Sequence, residues 1–121
     1  MRLAVTGGIL TTAEADYATI LKFSNGWEIR IESPFGLRPP VGEVLVDLDP
    51  ENPKSVLPLQ ALIGHTIAEA ESSEAVGRLV LHFDDGTVLT IEPDQEYEAW
   101  TAAGPSGEKL VCLPGGGLAI W

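Results

Sequence analysis

The chain is short of cations. Lys and Arg number 7 against 18 Asp and Glu, a formal charge of −11 at neutral pH, and no basic cluster occurs anywhere along it. A phosphate backbone is bound through cationic side chains that displace its counterions, so nucleic acid is not expected as a partner. An anionic membrane surface is disfavoured for the same reason. The acidity leaves room for a basic protein partner, or serves solubility alone. Cysteine is nearly missing too. Cys112 stands by itself, which forbids an intrachain disulfide and favours a reducing compartment. No apolar run approaches the length of a membrane span. The opening Met1-Arg2-Leu3-Ala4-Val5-Thr6-Gly7-Gly8 is too short in apolar length for a signal peptide. A soluble, cytoplasmic protein is the expectation.

The usual chemistry is equally sparse. There is no serine elbow, no phosphate-binding glycine loop and no zinc-protease motif. His82 and Asp84 share one side of an alternating strand, and a His-x-Asp pair ligates a metal only where further ligands converge. His65 is the sole other imidazole, so His82 reads as a surface or partly packed residue. Asp84-Asp85-Gly86 lacks the alternating oxygen donors and terminal glutamate of a calcium loop, and serves a turn. Cys112 has no evident base beside it and reads as partly buried rather than nucleophilic. Gly115-Gly116-Gly117 lacks a following Lys-Ser/Thr, and lets the chain turn sharply. No catalytic residue, metal ligand or cofactor site is assigned, and no cofactor is expected.

What the chain does hold is one phrase written twice. Leu21-Lys22-Phe23-Ser24-Asn25-Gly26-Trp27-Glu28-Ile29-Arg30-Ile31-Glu32 matches Leu81-His82-Phe83-Asp84-Asp85-Gly86-Thr87-Val88-Leu89-Thr90-Ile91-Glu92, sixty residues on. Each copy reads as a β-hairpin. A two-residue Asn25-Gly26 turn would set Phe23 opposite Glu28. A three-residue loop instead pairs Phe23 with Trp27, Leu21 with Ile29 and Thr19 with Ile31, which gathers the apolar residues on one side. The register therefore predicts a type I turn with a left-handed Gly26 in a bulge, and the same at Gly86, with Leu79 opposite Ile91.

The repeat extends outward. Pro40-Val41-Gly42-Glu43-Val44-Leu45-Val46-Asp47-Leu48 matches Pro105-Ser106-Gly107-Glu108-Lys109-Leu110-Val111-Cys112-Leu113, and Gly7 to Leu10 aligns with Gly64 to Ile67. The offsets of 57, 60 and 65 are what small loop insertions produce. A unit of about 50 residues barely buries a core alone, whereas two can cover each other's apolar faces. The expected fold is mainly β: internally duplicated antiparallel sheets in a single β-sandwich or roll-like domain over 1–121. Its halves, about 5–50 and 62–121, are joined by a short helical or turn-rich connector, with at most one short helical segment, of one or two turns between about Asn52 and Ala61. Within this scheme Pro34 to Pro40 reads as a loop, Glu96 to Thr101 as a strand, and Asp49-Pro50 as a helix start. Pro58 bars any longer helix. Leu118 to Trp121 forms a short terminal strand packed through Ile120 and Trp121.

Phe83-Asp84-Asp85-Gly86, Tyr97-Glu98-Ala99-Trp100 and the tail Val111-Cys112-Leu113-Pro114-Gly115-Gly116-Gly117-Leu118-Ala119-Ile120-Trp121 together carry a resemblance. The chain resembles a family of small, acidic, uncharacterised proteins found largely in actinobacteria. The resemblance implies no activity; an immunity-like or regulatory partner role is the most it suggests. The functional expectation is a non-enzymatic protein that binds another protein, with Trp27, Trp100 and Trp121 as partner-binding candidates because large aromatics anchor interfaces. Trp27 sits beside an exposed turn and leads the three. A small-molecule binding module or small enzyme is one alternative. A self-associating structural protein, a homodimer, is the other.

Overall fold

A computed structural model describes residues 1–121. The first half begins with a meander, β1 Leu10–Ala15, β2 Thr19–Phe23 and β3 Glu28–Ile31. It continues into β4 Phe35–Arg38 and β5 Leu45–Leu48. After helix α1 Pro53–Gln60 the second half repeats the plan with β6 Ile67–Ser72, β7 Leu79–Phe83 and β8 Val88–Ile91. Then come β9 Trp100–Ala103, β10 Lys109–Cys112 and the short β11 Leu118–Ile120.

The two halves exchange strands. One antiparallel sheet runs β1-β2-β3-β9-β10-β11 and the other β5-β4-β8-β7-β6. Each meander is thus completed by the hairpin that follows the other meander. Phe35 lies opposite Ile91 and Leu37 opposite Leu89; equivalently, Trp100 lies opposite Ile31 and Ala102 opposite Ile29. The repeat offsets of 57, 60 and 65 hold strand for strand as far as Leu45, beyond which a bulge adds one residue to β5. The last increase falls on the crossovers between sheets, where residues 32–34 in the first half correspond to 92–99 in the second. The inner faces meet in one sandwich core of 26 buried residues, which includes both Phe23 and Phe83.

Both hairpins take the expected register. Phe23 N–H donates to the Trp27 carbonyl and Phe83 N–H to the Thr87 carbonyl, each at 2.9 Å. Gly26 and Gly86 close the turns with φ of 85° and 93°, where a side chain is strained. The first strand of each meander carries a bulge, at Leu10/Thr12 and at Ile67/Glu69. Leu10 and Ala13, and likewise Ile67 and Ala70, therefore face inward three residues apart.

Four local expectations are corrected. Residues 35–38 form β4 rather than lying in a loop, because Pro34, Pro39 and Pro40 flank the strand without entering it, and Phe35 and Leu37 face the core. The strand expected from Glu96 begins only at Trp100, because Asp94 Oδ1 accepts the Glu96 N–H at 2.8 Å and holds that stretch in a turn. The helix is capped by Asn52, whose Oδ1 accepts the Lys54 N–H at 2.9 Å, with Pro53 first. Asp49 closes its own turn onto the Glu51 N–H at 2.9 Å instead. The helix itself falls within the expected Asn52 to Ala61, and Pro58 is tolerated inside it because the carbonyl its N–H would have met belongs to exposed Lys54. Lastly, β11 pairs with β10, but Ile120 and Trp121 are exposed rather than packed.

Candidate functional site

A sandwich of two open sheets has four edges, and an uncovered edge offers unpaired N–H and C=O groups to another chain. Two of these edges are covered, and a third is held at one end. Alongside β6 runs the N-terminal arm, with Leu3 N–H donating to Ala70 C=O at 2.7 Å and Ser72 N–H to Met1 C=O at 2.9 Å. The edge of β1 is covered by α1, whose Gln60 amide donates to Ala13 C=O at 3.3 Å. Ala13 and Ala70 are repeat equivalents, as are Leu3 and Gln60, so one duty falls to backbone in one half and to a side chain in the other. On the six-stranded sheet β11 covers β10 and is itself the edge strand, held from outside where Leu118 N–H donates to Glu74 C=O at 3.0 Å.

The fourth edge is open. β5 pairs with β4 on one side and with nothing on the other. Its equivalent is β10, which carries β11, and the exposure of matched residues measures the difference. Val111 lies between Thr101 and Ala119 and is 2% exposed. Val46 has Gly36 on one side, no strand on the other, and is 70% exposed. Val41 and Val44 of the same hairpin are also exposed.

The backbone of β5 bends here. Leu37 lies opposite Leu45 and Phe35 opposite Leu48, which leaves Val46 and Asp47 facing Gly36 alone. Asp47 takes a φ of 51°, the one non-glycine residue with positive φ. The missing side chain of Gly36 opens a depression on the outer sheet face. One end of it, about 290 Å³, is lined by Val44, Val46, Val88, Thr90 and Arg38. It continues past Gly36 into a stretch of about 430 Å³ lined by Pro34, Asp47, Glu92 and Asp94. Pro34 also borders a cleft of about 480 Å³ made by Tyr17, Glu32, Asp49, Pro50, Glu51 and Tyr97. These residues come from the β1–β2 turn, both crossovers and the β5–α1 link. Desolvation, and then a hydrogen bond with Asp94, hold the Tyr97 phenol above its ordinary value, so it stays neutral. The site is a groove, apolar at one end and acidic and aromatic at the other, beside a free strand edge.

The tryptophans do not form a cluster. Trp27 is 5% exposed and packs in the core, close enough that a side chain on Gly104 would meet its ring at 2.8 Å. Trp100 is buried and its indole N–H donates to Gly77 C=O at 2.8 Å. Trp121 is 69% exposed on the outer face of the six-stranded sheet, with the Lys109 ammonium 5.7 Å from its ring. Of the three, Trp121 alone is open to a partner.

The titratable groups are dispersed. His65 Nδ1 lies 2.7 Å from Asp84 Oδ1, while His82 Nε2 lies 3.5 Å from Glu71 Oε1, so the two imidazoles serve separate carboxylates. No three His, Cys, Asp or Glu side chains are grouped to hold a metal ion. Cys112 is buried, and burial pushes its thiol above the ordinary value. The open edge was not foreseen from the sequence, although the missing counterpart of Pro114–Trp121 after Leu48 is a signal that could have found it.

The model of a family of unknown function (DUF6188) matches residues 1–121. No curated protein and no solved structure matches the chain.

Proposed function

The chain belongs to this family of unknown function, and we propose that it is a non-enzymatic, cytoplasmic protein that binds a basic protein partner through the β5 edge. One observation carries the reading: Val46 is 70% exposed where its repeat equivalent Val111, covered by one more strand, is 2% exposed. Exposed apolar residues beside an unpaired edge are costly for a free monomer, because they invite association, and they are explained by a partner that covers them. Glu43, Asp47 and Asp49 surround the patch, and a chain of net charge −11 attracts a cationic partner and repels copies of itself. The lone, unpaired Cys112 supports a reducing compartment.

Affinity capture from a native lysate of the source organism tests this with three baits. Wild type and Leu57→Lys, a change at an exposed apolar residue on α1, are expected to retain the same basic protein in equal amount. Val46→Lys is expected to lose it. Retention by all three baits, or a concentration-dependent dimer with no captured protein, would overturn the reading.

A further inference from the structure

We propose that the partner enters as a strand: an extended segment that runs antiparallel to β5, with a Lys or Arg placed ahead of an alternating apolar run. This rests on the β5 edge being the binding surface and adds the mode and the chemistry.

The molecule contains its own template. β11 lies antiparallel to β10, with Leu118 opposite Cys112 and Ile120 opposite Leu110. Carried onto β5, where the bulge sets Leu48 opposite Phe35, those partners become Leu48 and Leu45. A segment in that register begins beside Leu48 and ends beside Leu45, passing the bulged Val46 and Asp47. Strand addition of this kind draws affinity from main-chain hydrogen bonds and selectivity from alternate side chains. Those alternate side chains lie over Val46 and the depression at Gly36, where apolar groups find apolar lining.

Charge then decides which end of this antiparallel segment carries the cation. The residues just ahead of such a segment reach the end of β5 that leads into the acidic cleft of Glu32, Asp49, Glu51, Tyr17 and Tyr97. Glu32 takes Arg30 Nε at 3.1 Å and Asp49 takes the Glu51 N–H at 2.9 Å, yet a carboxylate has about four acceptor sites, so both can accept more. Tyrosine faces also attract cations. The one cation lining the groove, Arg38, stands at the opposite, apolar end. A cation leading the segment therefore meets carboxylates, whereas one trailing it meets Arg38. A second copy of the chain fits poorly, since β5 against β5 would bring two hairpins carrying Glu43 and Asp47 together.

A displayed library of random nine-residue peptides, selected on the full chain, tests the proposal. Enriched sequences are expected to place Lys or Arg before two or three apolar residues at alternate positions. The synthesised peptide should shift the amide signals of Leu45–Leu48 in the isotope-labelled protein and bind at least tenfold more weakly to Val46→Lys. A Tyr17→Ala, Glu51→Gln double variant should still select the apolar alternation but lose the leading cation. Peptides that move the β5 amides with no preference for a leading cation would overturn the partner chemistry and leave the edge standing. Enrichment of peptides that move other amides, or no enrichment at all, would overturn both.

Discussion

Ser24 and Asp84 stand at equivalent places in the two hairpins and hold the same kind of backbone contact. Ser24 N–H donates to Ile9 C=O at 2.8 Å while its Oγ accepts the Ile9 N–H at 3.0 Å. Asp84 N–H donates to Thr66 C=O at 2.9 Å while its Oδ2 accepts the Thr66 N–H at 3.2 Å. The acid adds a charge. Its hydrogen bond with His65, and then that from Thr66, hold the Asp84 carboxyl below its ordinary value of 3.8. A carboxylate lowered on folding stabilises the native state fully above its unfolded value and loses that contribution as pH falls through the folded one. Asp84→Asn should therefore be less stable than wild type at pH 7, and the gap should shrink once pH drops below 3.8. Urea unfolding of both proteins across pH 2 to 7 (an approximate range set by carboxylate titration) checks this; a gap constant with pH would refute it. At Cys112 the same physics gives inertness: a thiol held protonated by burial is a poor nucleophile.

At the scale of elements, each turn glycine packs under the hairpin that arrives from the other half. A side-chain carbon on Gly26 would meet Pro105 Cβ at 2.8 Å, and one on Gly86 would meet Pro40 Cβ at 3.3 Å. Both positions also carry left-handed strain. Gly26→Ala and Gly86→Ala should each cost about 1–3 kcal/mol, with Gly26→Ala the costlier because its contact is closer. Denaturant midpoints for the two variants measure the order, and equal values would refute it. These hairpins were readable because their turn chemistry and their apolar spacing agree. Strand β4 was not, since three prolines and Gly36 within seven residues outweigh the two inward residues Phe35 and Leu37. The bulges in β1 and β6 blurred alternation by setting Leu10 and Ala13, or Ile67 and Ala70, three apart. The open edge was illegible for a different reason. Val46 and Val111 occupy the same Leu-Val-x-Leu pattern, and what separates them is the bulge in β5 and the strand that lies beside β10. Trp27 misled similarly, because nearness to a turn in sequence does not show which sheet face a ring occupies.

For the whole molecule, strand exchange makes the halves interdependent. Residues 1–60 alone would leave β3 and β4 each without its neighbour from the second half, with the inner faces of both exposed. Residues 61–121 alone would do the same to β8 and β9. Neither piece should fold as a monomer; each should be unfolded or self-associated, and mixing the two should restore the intact fold. Circular dichroism and sedimentation of the pieces, separate and combined, decide this. A folded monomer from either piece would contradict it. The pairing is also largely between residues distant in sequence, which slows folding relative to a local topology.

Joining the repeats in one polypeptide has a further effect. Were the same architecture assembled from two identical chains, symmetry would leave both outer strands bare or seal both. Here β10 is sealed by β11 and β5 is not. A complex through that position therefore contains one guest per host, and saturates at a one-to-one ratio.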